Sequence, residues 1–327
     1  NEAEELTAKG NDVTVFTFKT DFDSLLLQKK GISVEALGMP KNPMAERLYR
    51  LLFFLDISKM LKIVRKLKSF DEAISFLYPM TLPAMLAKRR HKGLKYTYYD
   101  VGVAYPQLFD SFPERLYMRI FAMFTRLTMR NCDNAISISK FLSGELRKQT
   151  GIQSQVKYVK IDHTRFNPRA QSIYRKEIAA VEKKHGMKKP VMLYVGRISP
   201  HKGVHLLLDA FGIVKQKFPS ATLVVVGKPT FPKYSQQLKE KAAQIGGVIF
   251  TGFVQDEDLP AYYGACDIYT TASMWEGFDL PVAEANACGK PAVAFDVGSH
   301  PEVLKKGTLV KAGNVEEFAA TIIKTLK

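Results

Sequence analysis

Short β-branched and aromatic runs alternate with stretches of helical spacing along almost the whole chain. In the first half, DVTVFTF (12–18), ISVEAL (32–37), EAISFL (72–77), LKYTYY (94–99) and NAISIS (134–139) have the composition of strands. Apolar residues at helical spacing predict helices near 44–68, 80–91, 113–131 and 140–149. The second half repeats the rhythm. VMLYVG (191–196), ATLVVVG (221–227), VIFTG (248–252), DIYTTAS (267–273) and PAVAFD (291–296) read as strands, with helices near 203–217, 233–245, 257–264, 280–288 and 314–326. Alternating β and α predicts parallel sheets covered on both faces, and two such series predict an α/β protein of two doubly wound, Rossmann-like domains. The polar, aperiodic segment DHTRFNPRAQS (162–172) places the boundary between domains of 1–165 and 166–327.

The first domain departs from this scheme at its start. It opens on NEAEELTAKGNDV, a helical stretch closed by Gly10, with no strand before it and no initiator Met. A doubly wound domain normally begins with its central strand. The expectation is a chain lacking its true N-terminus.

Composition narrows the function classes. At 327 residues, 46% hydrophobic and 24% charged, the chain is of a globular kind with room for two cores. No apolar run reaches the roughly 18 residues of a membrane-spanning helix, and no signal peptide is visible. Cys132, Cys266 and Cys288 lack metal-ligand spacing and suggest a reducing compartment, so the expected location is cytoplasmic. The net charge of +16 favours anionic partners. It is concentrated early: residues 1–170 carry 28 Lys and Arg against 17 Asp and Glu, the remainder 20 against 15.

Candidate chemistry gathers in the second half. In WEGFDLPVAEANACGKP (275–291), Glu276 and Glu284 stand eight positions apart across a turn that opens a helix. In an α/β sheet, ligands sit beyond the carboxyl ends of the strands, at such loops. Gly277 frees the backbone, and Pro281 suits a first helical turn. The N–H groups of Phe278, Asp279 and Leu280 then make an anion site aided by the helix dipole. Eight helical residues rise ~12 Å, a span suited to a nucleotide-sugar. Glu284 would hold the ribose hydroxyls, the helix N-terminus the pyrophosphate and Glu276 the sugar. Taken alone, the pair reads equally well as a capping residue and a solvated helix residue. A second loop, VGRISPHKG (195–203), changes the weighing: it follows the domain's first strand and brings Gly196, Arg197 and Lys202 to the pyrophosphate. Arg offers a bidentate fork and Lys a point charge to phosphate oxygens. The triplet Asp256–Glu257–Asp258 reads as a helix cap rather than a metal site. His163, His201 and His205 read as surface residues.

These motifs, with GFVQDEDLPAYYGACDIYTTAS (252–273) and VGSHPEVL (297–304), resemble the retaining glycosyltransferases of family 4, which have the GT-B fold. The resemblance extends over nearly the whole chain and is strongest over 191–303. It implies two Rossmann-like domains facing a central cleft, with the acceptor bound by the N-terminal one. It also implies transfer of a sugar from a nucleotide-sugar with retention of configuration, and neither metal nor cofactor. Arg197 and Lys202 would stabilise the leaving diphosphate, Glu284 would hold the ribose and Glu276 would contact the transferred sugar. Backbone groups around Lys228 and Val254 would contact the base.

The pattern departs from the family at four places. Asp279 stands where a small residue is usual, and its carboxylate would repel a diphosphate unless it points away. YTYYDVG offers Tyr99 and Asp100 as acceptor-side candidates where a strand-end His is usual. VKYVKIDHTRF lacks the usual Pro-Asn-Gly before Asp162. The chain stops at TIIKTLK, short of the C-terminal helix that usually crosses back. A sugar-nucleotide binder with impaired catalysis is therefore the alternative.

The first domain adds a possible surface partner. The stretch 44–70 sets Leu48, Leu51, Leu52, Leu55, Met60, Ile63, Val64 and Leu67 against seven Arg and Lys, and 113–130 repeats the composition. Such segments read either as core helices with a solvated basic face or as helices lying on an anionic bilayer. The expected acceptor is a lipid-linked or envelope glycan at the inner face of a membrane. A basic nucleic-acid-binding protein is the rival class, but zinc-finger spacing, RNP-like strands and recognition-helix motifs are lacking.

Overall fold

A computed structural model describes residues 2–19, 22–109 and 111–327. The chain divides into two compact units, Asn1–Thr97 with Met123–Asp133, and Tyr98–Ala122 with Asn134–Lys327.

The larger unit is built on a six-stranded sheet. Its strands lie in the order Gly307–Val310, Ala292–Phe295, Ile268–Thr271, Val191–Val195, Thr222–Val226 and Val248–Gly252. All these neighbours pair in parallel, with Val191 opposite Thr222 and Ile268 opposite Met192. The central strands are continuous apolar runs because both faces are covered. Period-two alternation sends Met192 and Tyr194 into one core with Leu207, Phe211, Phe318 and Ile322. It sends Val191 and Leu193 into the other, with Tyr263, Tyr269 and Val282. Helices Val204–Lys217, Pro232–Ile245, Leu259–Ala265, Leu280–Ala287 and Val315–Thr325 follow the strands as expected from the sequence.

Several elements of this unit escaped the sequence reading, among them a helix and an edge strand. Helix Arg175–His185, ended by Gly186 at φ 60°, follows the segment read as a linker. Strand Gly307–Val310 closes the edge of the sheet. The triplet at 256–258 is exposed; Asp258 occupies the N-cap of Leu259–Ala265, but its side chain makes no capping hydrogen bond. That expectation fails because Asp258 has αR backbone angles (φ −88°, ψ −19°) rather than the extended conformation in which a cap side chain folds back.

The smaller unit holds the parallel pair Thr14–Thr17 and Ser33–Ala36, strand Glu72–Ser75 and the start of strand Lys95–Asp100. Strands from 72 to 156 form a separate sheet in chain order, so the first-half strands belong to two sheets rather than one. The helix expected over 44–68 is three pieces: Pro43–Leu51, a turn at Phe53–Leu55, and Ile57–Lys66. Asp56 causes the break by accepting from the Lys59 N–H at 3.2 Å and starting a new helix. Phe53, fully buried, anchors the corner against Phe18 at 5.1 Å. Helix Phe112–Met129 turns Ala122, Thr125, Thr128 and Met129 inward. Phe112, Leu116, Met123 and Leu127 share its exposed face with Arg119 and Arg126. Among the described residues no helix is long and apolar enough to cross a membrane.

Candidate active site

Numbered within its own sheet, the larger unit's strand order is 3-2-1-4-5-6, and its direction reverses between Val191–Val195 and Ile268–Thr271. In open α/β sheets such a reversal point, beyond the carboxyl ends of the strands, is where ligands bind. The loops leaving those two strands are 196–203 and 272–279, which carry the candidate residues.

Close backbone contacts fix these loops to each other. Gly203 has φ 63°, and a Cβ on it would lie 1.9 Å from the Ala272 carbonyl oxygen. The Met274 N–H donates to the His201 carbonyl at 2.8 Å. A third loop presses on Glu276: a Cβ on Gly298 would fall 2.2 Å from the Glu276 carbonyl oxygen, which also accepts from the Ser299 N–H at 3.1 Å.

Four charged side chains meet in this framework. The Lys202 Nζ donates to Glu276 Oε1 at 2.6 Å, with Glu276 only 4% exposed. Burial, then the neighbouring Asp279 carboxylate, holds the Glu276 carboxyl above its usual range despite the lysine. Asp279 is the N-cap of helix Leu280–Ala287, its Oδ1 accepting from the Val282 N–H at 3.4 Å. Its Oδ2 lies 3.0 Å from Nε2 of the fully buried His300. Burial works against the charge on both partners; their mutual attraction outweighs it, lowering Asp279 and raising His300. Glu276, Asp279 and His300 present potential ligand atoms within 4.8 Å of one another. Each of these residues already bonds a protein partner, Glu276 through Oε1, Asp279 through Oδ2 and His300 through both ring nitrogens, Nδ1 meeting the Phe295 carbonyl at 2.6 Å.

Glu284 lies on the same helix, buried, with Oε2 accepting from the Tyr263 hydroxyl at 2.7 Å. Burial pushes its carboxyl up to about 7. Of the three amides expected to form the anion site, that of Leu280 donates to the Phe278 carbonyl at 3.1 Å. Those of Phe278 and Asp279 have no protein acceptor among the described residues. Gly277 is buried where a Cβ would lie 3.0 Å from the Val101 carbonyl oxygen.

Arg197 is exposed and makes no ion pair among the described residues; its carbonyl accepts from the Tyr194 hydroxyl at 3.0 Å. Gly196 follows strand Val191–Val195, and its N–H donates to the Val226 carbonyl at 2.9 Å. Lys228 is exposed, with Nζ 4.3 Å from the centre of the Phe253 ring, while Val254 packs on the second core. His201 corrects the surface reading: it is 8% exposed, and burial with the nearby Lys202 and Arg197 charges pushes its ring down to about 3. The apolar covering, Phe109 included, comes from residues distant in sequence. His163 is exposed, and His205 is half-buried with Nδ1 2.9 Å from the Tyr234 hydroxyl.

The acceptor-side candidates Tyr99 and Asp100 are both buried at the end of strand Lys95–Asp100. Asp100 accepts from the Gly102 N–H at 3.0 Å and the Ser137 hydroxyl at 3.2 Å, and burial pushes it up to about 6. The residues that follow touch the Glu276 loop: a Cβ on Gly102 would lie 2.6 Å from the Trp275 ring. Sequence reading missed Glu302, which accepts from the Lys140 and Phe141 N–H groups, each at 2.9 Å, and from the Tyr158 hydroxyl at 2.8 Å. It also missed His300, whose one visible signal was a histidine inside the quoted VGSHPEVL motif.

Known proteins are similar to this chain in sequence and fold. The family model for glycosyl transferases group 1 matches residues 175–327, and that for glycosyltransferase family 4 matches 1–160. The O-antigen chain mannosyltransferase B of Escherichia coli is 34% identical over 141 residues, covering 41% of this chain and 36% of that protein. A GDP-mannose-dependent alpha-(1-6)-phosphatidylinositol monomannoside mannosyltransferase of Mycolicibacterium smegmatis is 27% identical over 50% of this chain and 44% of its own length. The matched stretches thus span less than half of these relatives. Among solved structures, Anabaena HepE in complex with UDP and glucose superposes with a TM-score of 0.79 at 22% identity, covering 99% of this chain and 86% of that one. With both family models accounting for nearly all of its length, the chain belongs to the family 4, group 1 glycosyltransferases and has the GT-B fold.

Proposed function

We propose that this protein transfers a hexose from a nucleotide-sugar to a glycan acceptor, with retention of configuration and without a metal. The observation that carries the reading is the pairing of Lys202 with the buried Glu276 at the switch point, eight residues before the buried Glu284. A departing nucleoside diphosphate gathers negative charge on its terminal phosphate. Arg197, Lys202 and the free amides of Phe278 and Asp279 supply donors to that charge. Such preorganised donors usually make the largest contribution to catalysis. Glu276 faces the sugar and Glu284 the ribose. The test is a thermal-shift and donor-hydrolysis screen of UDP-, GDP- and ADP-sugars, with and without EDTA. Protection and turnover by one donor in EDTA support the reading. Protection by DNA or RNA alone overturns it, and protection without turnover leaves a sugar-nucleotide binder.

The acceptor reading is a lipid-linked or envelope glycan at the inner face of a membrane. Relatives named as O-antigen and phosphatidylinositol mannoside mannosyltransferases support it. So does helix Phe112–Met129, whose exposed face pairs Phe112, Leu116, Met123 and Leu127 with arginines. Co-flotation with vesicles containing phosphatidylglycerol, and none with purely zwitterionic vesicles, is the expected result.

A further inference from the structure

Asp279 and His300 are 21 positions apart in sequence and meet in the interior, 3% and 0% exposed. Nδ1 of His300 lies 2.6 Å from the Phe295 carbonyl oxygen, which can only accept, so this nitrogen carries a proton. Nε2 faces Oδ2 of Asp279 at 3.0 Å, and the other carboxylate oxygen accepts from the Val282 N–H. An ionised Asp279 in this setting requires a proton on Nε2 as well. The ring is then an imidazolium with both N–H groups used.

The surroundings complete the charge balance. Glu276 lies beside Asp279 and is paired with Lys202. Arg197 is in the adjoining loop, and the buried phenols of Tyr194 and Tyr269 sense the same carboxylates. Two cations, Lys202 and His300, thus meet two carboxylates. Without His300 the cluster is left one negative charge in excess at a helix start proposed to receive a diphosphate.

We propose that His300 is a positioning residue of the donor site: it holds the Asp279 carboxylate turned away from the diphosphate and neutralises it, so that Asp279 and His300 act as one neutral unit. The proposal rests on the nucleotide-sugar reading above. It also accounts for an acidic residue at a place where its charge alone would oppose the ligand.

The test compares His300→Gln, Asp279→Asn and the double variant for binding of UDP and GDP by calorimetry. His300→Gln strands a buried carboxylate and should weaken the bound diphosphate by at least about tenfold. Adding Asp279→Asn should restore most of that affinity, a non-additive rescue that loss of packing alone does not produce. Losses that add, or a double variant weaker than His300→Gln, overturn the positioning role. If His300→Gln does not fold, the double variant must fold and bind, and its failure is equally fatal. Nitrogen NMR of the wild-type ring should show both nitrogens protonated at pH 7; an unprotonated Nε2 sinks the proposal without any ligand. A wild type that binds none of UDP-, GDP- and ADP-sugars removes the donor reading itself, whereas binding with additive losses removes only the role of His300.

Discussion

The Nζ of Lys202 stands 2.6 Å from Oε1 of Glu276, so the residue proposed to meet the phosphate is already bonded to the residue proposed to meet the sugar. Both side chains are largely buried, at 17% and 5% exposure. Donor binding therefore has to divide one lysine between two acceptors. Glu276→Ala should abolish most turnover while leaving UDP or GDP affinity intact or tighter, because it releases Lys202. Parallel calorimetry and donor-hydrolysis assays check this. A diphosphate affinity that falls together with turnover would show that Glu276 holds the loop rather than the sugar.

Arg197 lacks such a partner among the described residues and is free to meet a phosphate. Arg197→Ala should lower the transfer rate by roughly 100-fold or more, the effect of removing one preorganised donor to developing charge. Lys202→Ala should act in the same direction, and the double variant should cost less than the sum if both hold one phosphate. EDTA should leave the wild-type rate nearly unchanged. A strict requirement for Mg²⁺ or Mn²⁺, with Arg197 dispensable, would refute the metal-free mechanism.

Burial raises Glu284 from 4.5 to about 7, so the folded protein binds this proton more tightly than the unfolded chain does. That stabilising contribution is complete below the ordinary value and is lost as pH rises through the folded one. Glu284→Gln removes the titration. Its melting temperature should gain on the wild type between pH 5 and pH 8, and a difference that stays flat with pH would count against the assignment. Glu284→Ala should weaken nucleotide-sugar binding by roughly 1.5–3 kcal/mol, the worth of hydrogen bonds to a charged acceptor.

Gly203 has φ 63° and space for no side chain, since a Cβ would lie 1.9 Å from the Ala272 carbonyl oxygen. Gly203→Ala should destabilise the protein by more than about 1 kcal/mol, combining backbone strain with a clash. Urea unfolding measures the loss. A midpoint matching the wild type would mean that the two loops can separate freely.

The readable parts of this molecule were those whose signal is local. The central strands around Leu193 and Val224 are buried on both faces and therefore uniformly apolar, which marks them in sequence. Gly307–Val310 is an edge strand with two exposed positions, and only Val310 is buried, so little distinguishes it from a loop. Helix Arg175–His185 fully buries no residue, and Ile178 and Val181 are a thin apolar signal among its charged positions. Asp56 broke the expected long helix because a capping bond of a single carboxylate counted for more than the continuing apolar period. At the site, Glu276, Glu284, Arg197 and Lys202 were legible through their spacing around loop and helix starts. The answer to Asp279 was not. His300 reaches it only through the folding of a later strand and turn, and sequence spacing carries no trace of that contact.

The Glu302 carboxylate joins helix Lys140–Thr150 across 161 and 162 positions of chain, far more than any turn spans. Closing so long a loop has an entropic cost but adds only two amide bonds and one phenol bond at this point. Such a tie should open before the sheets do. The Lys140 and Phe141 amides should therefore exchange hydrogen with solvent at a rate set by this one docking step, well ahead of the buried amides of Leu193 and Val224. Two adjacent amides thus form a natural clock for how often distant parts of the chain come apart.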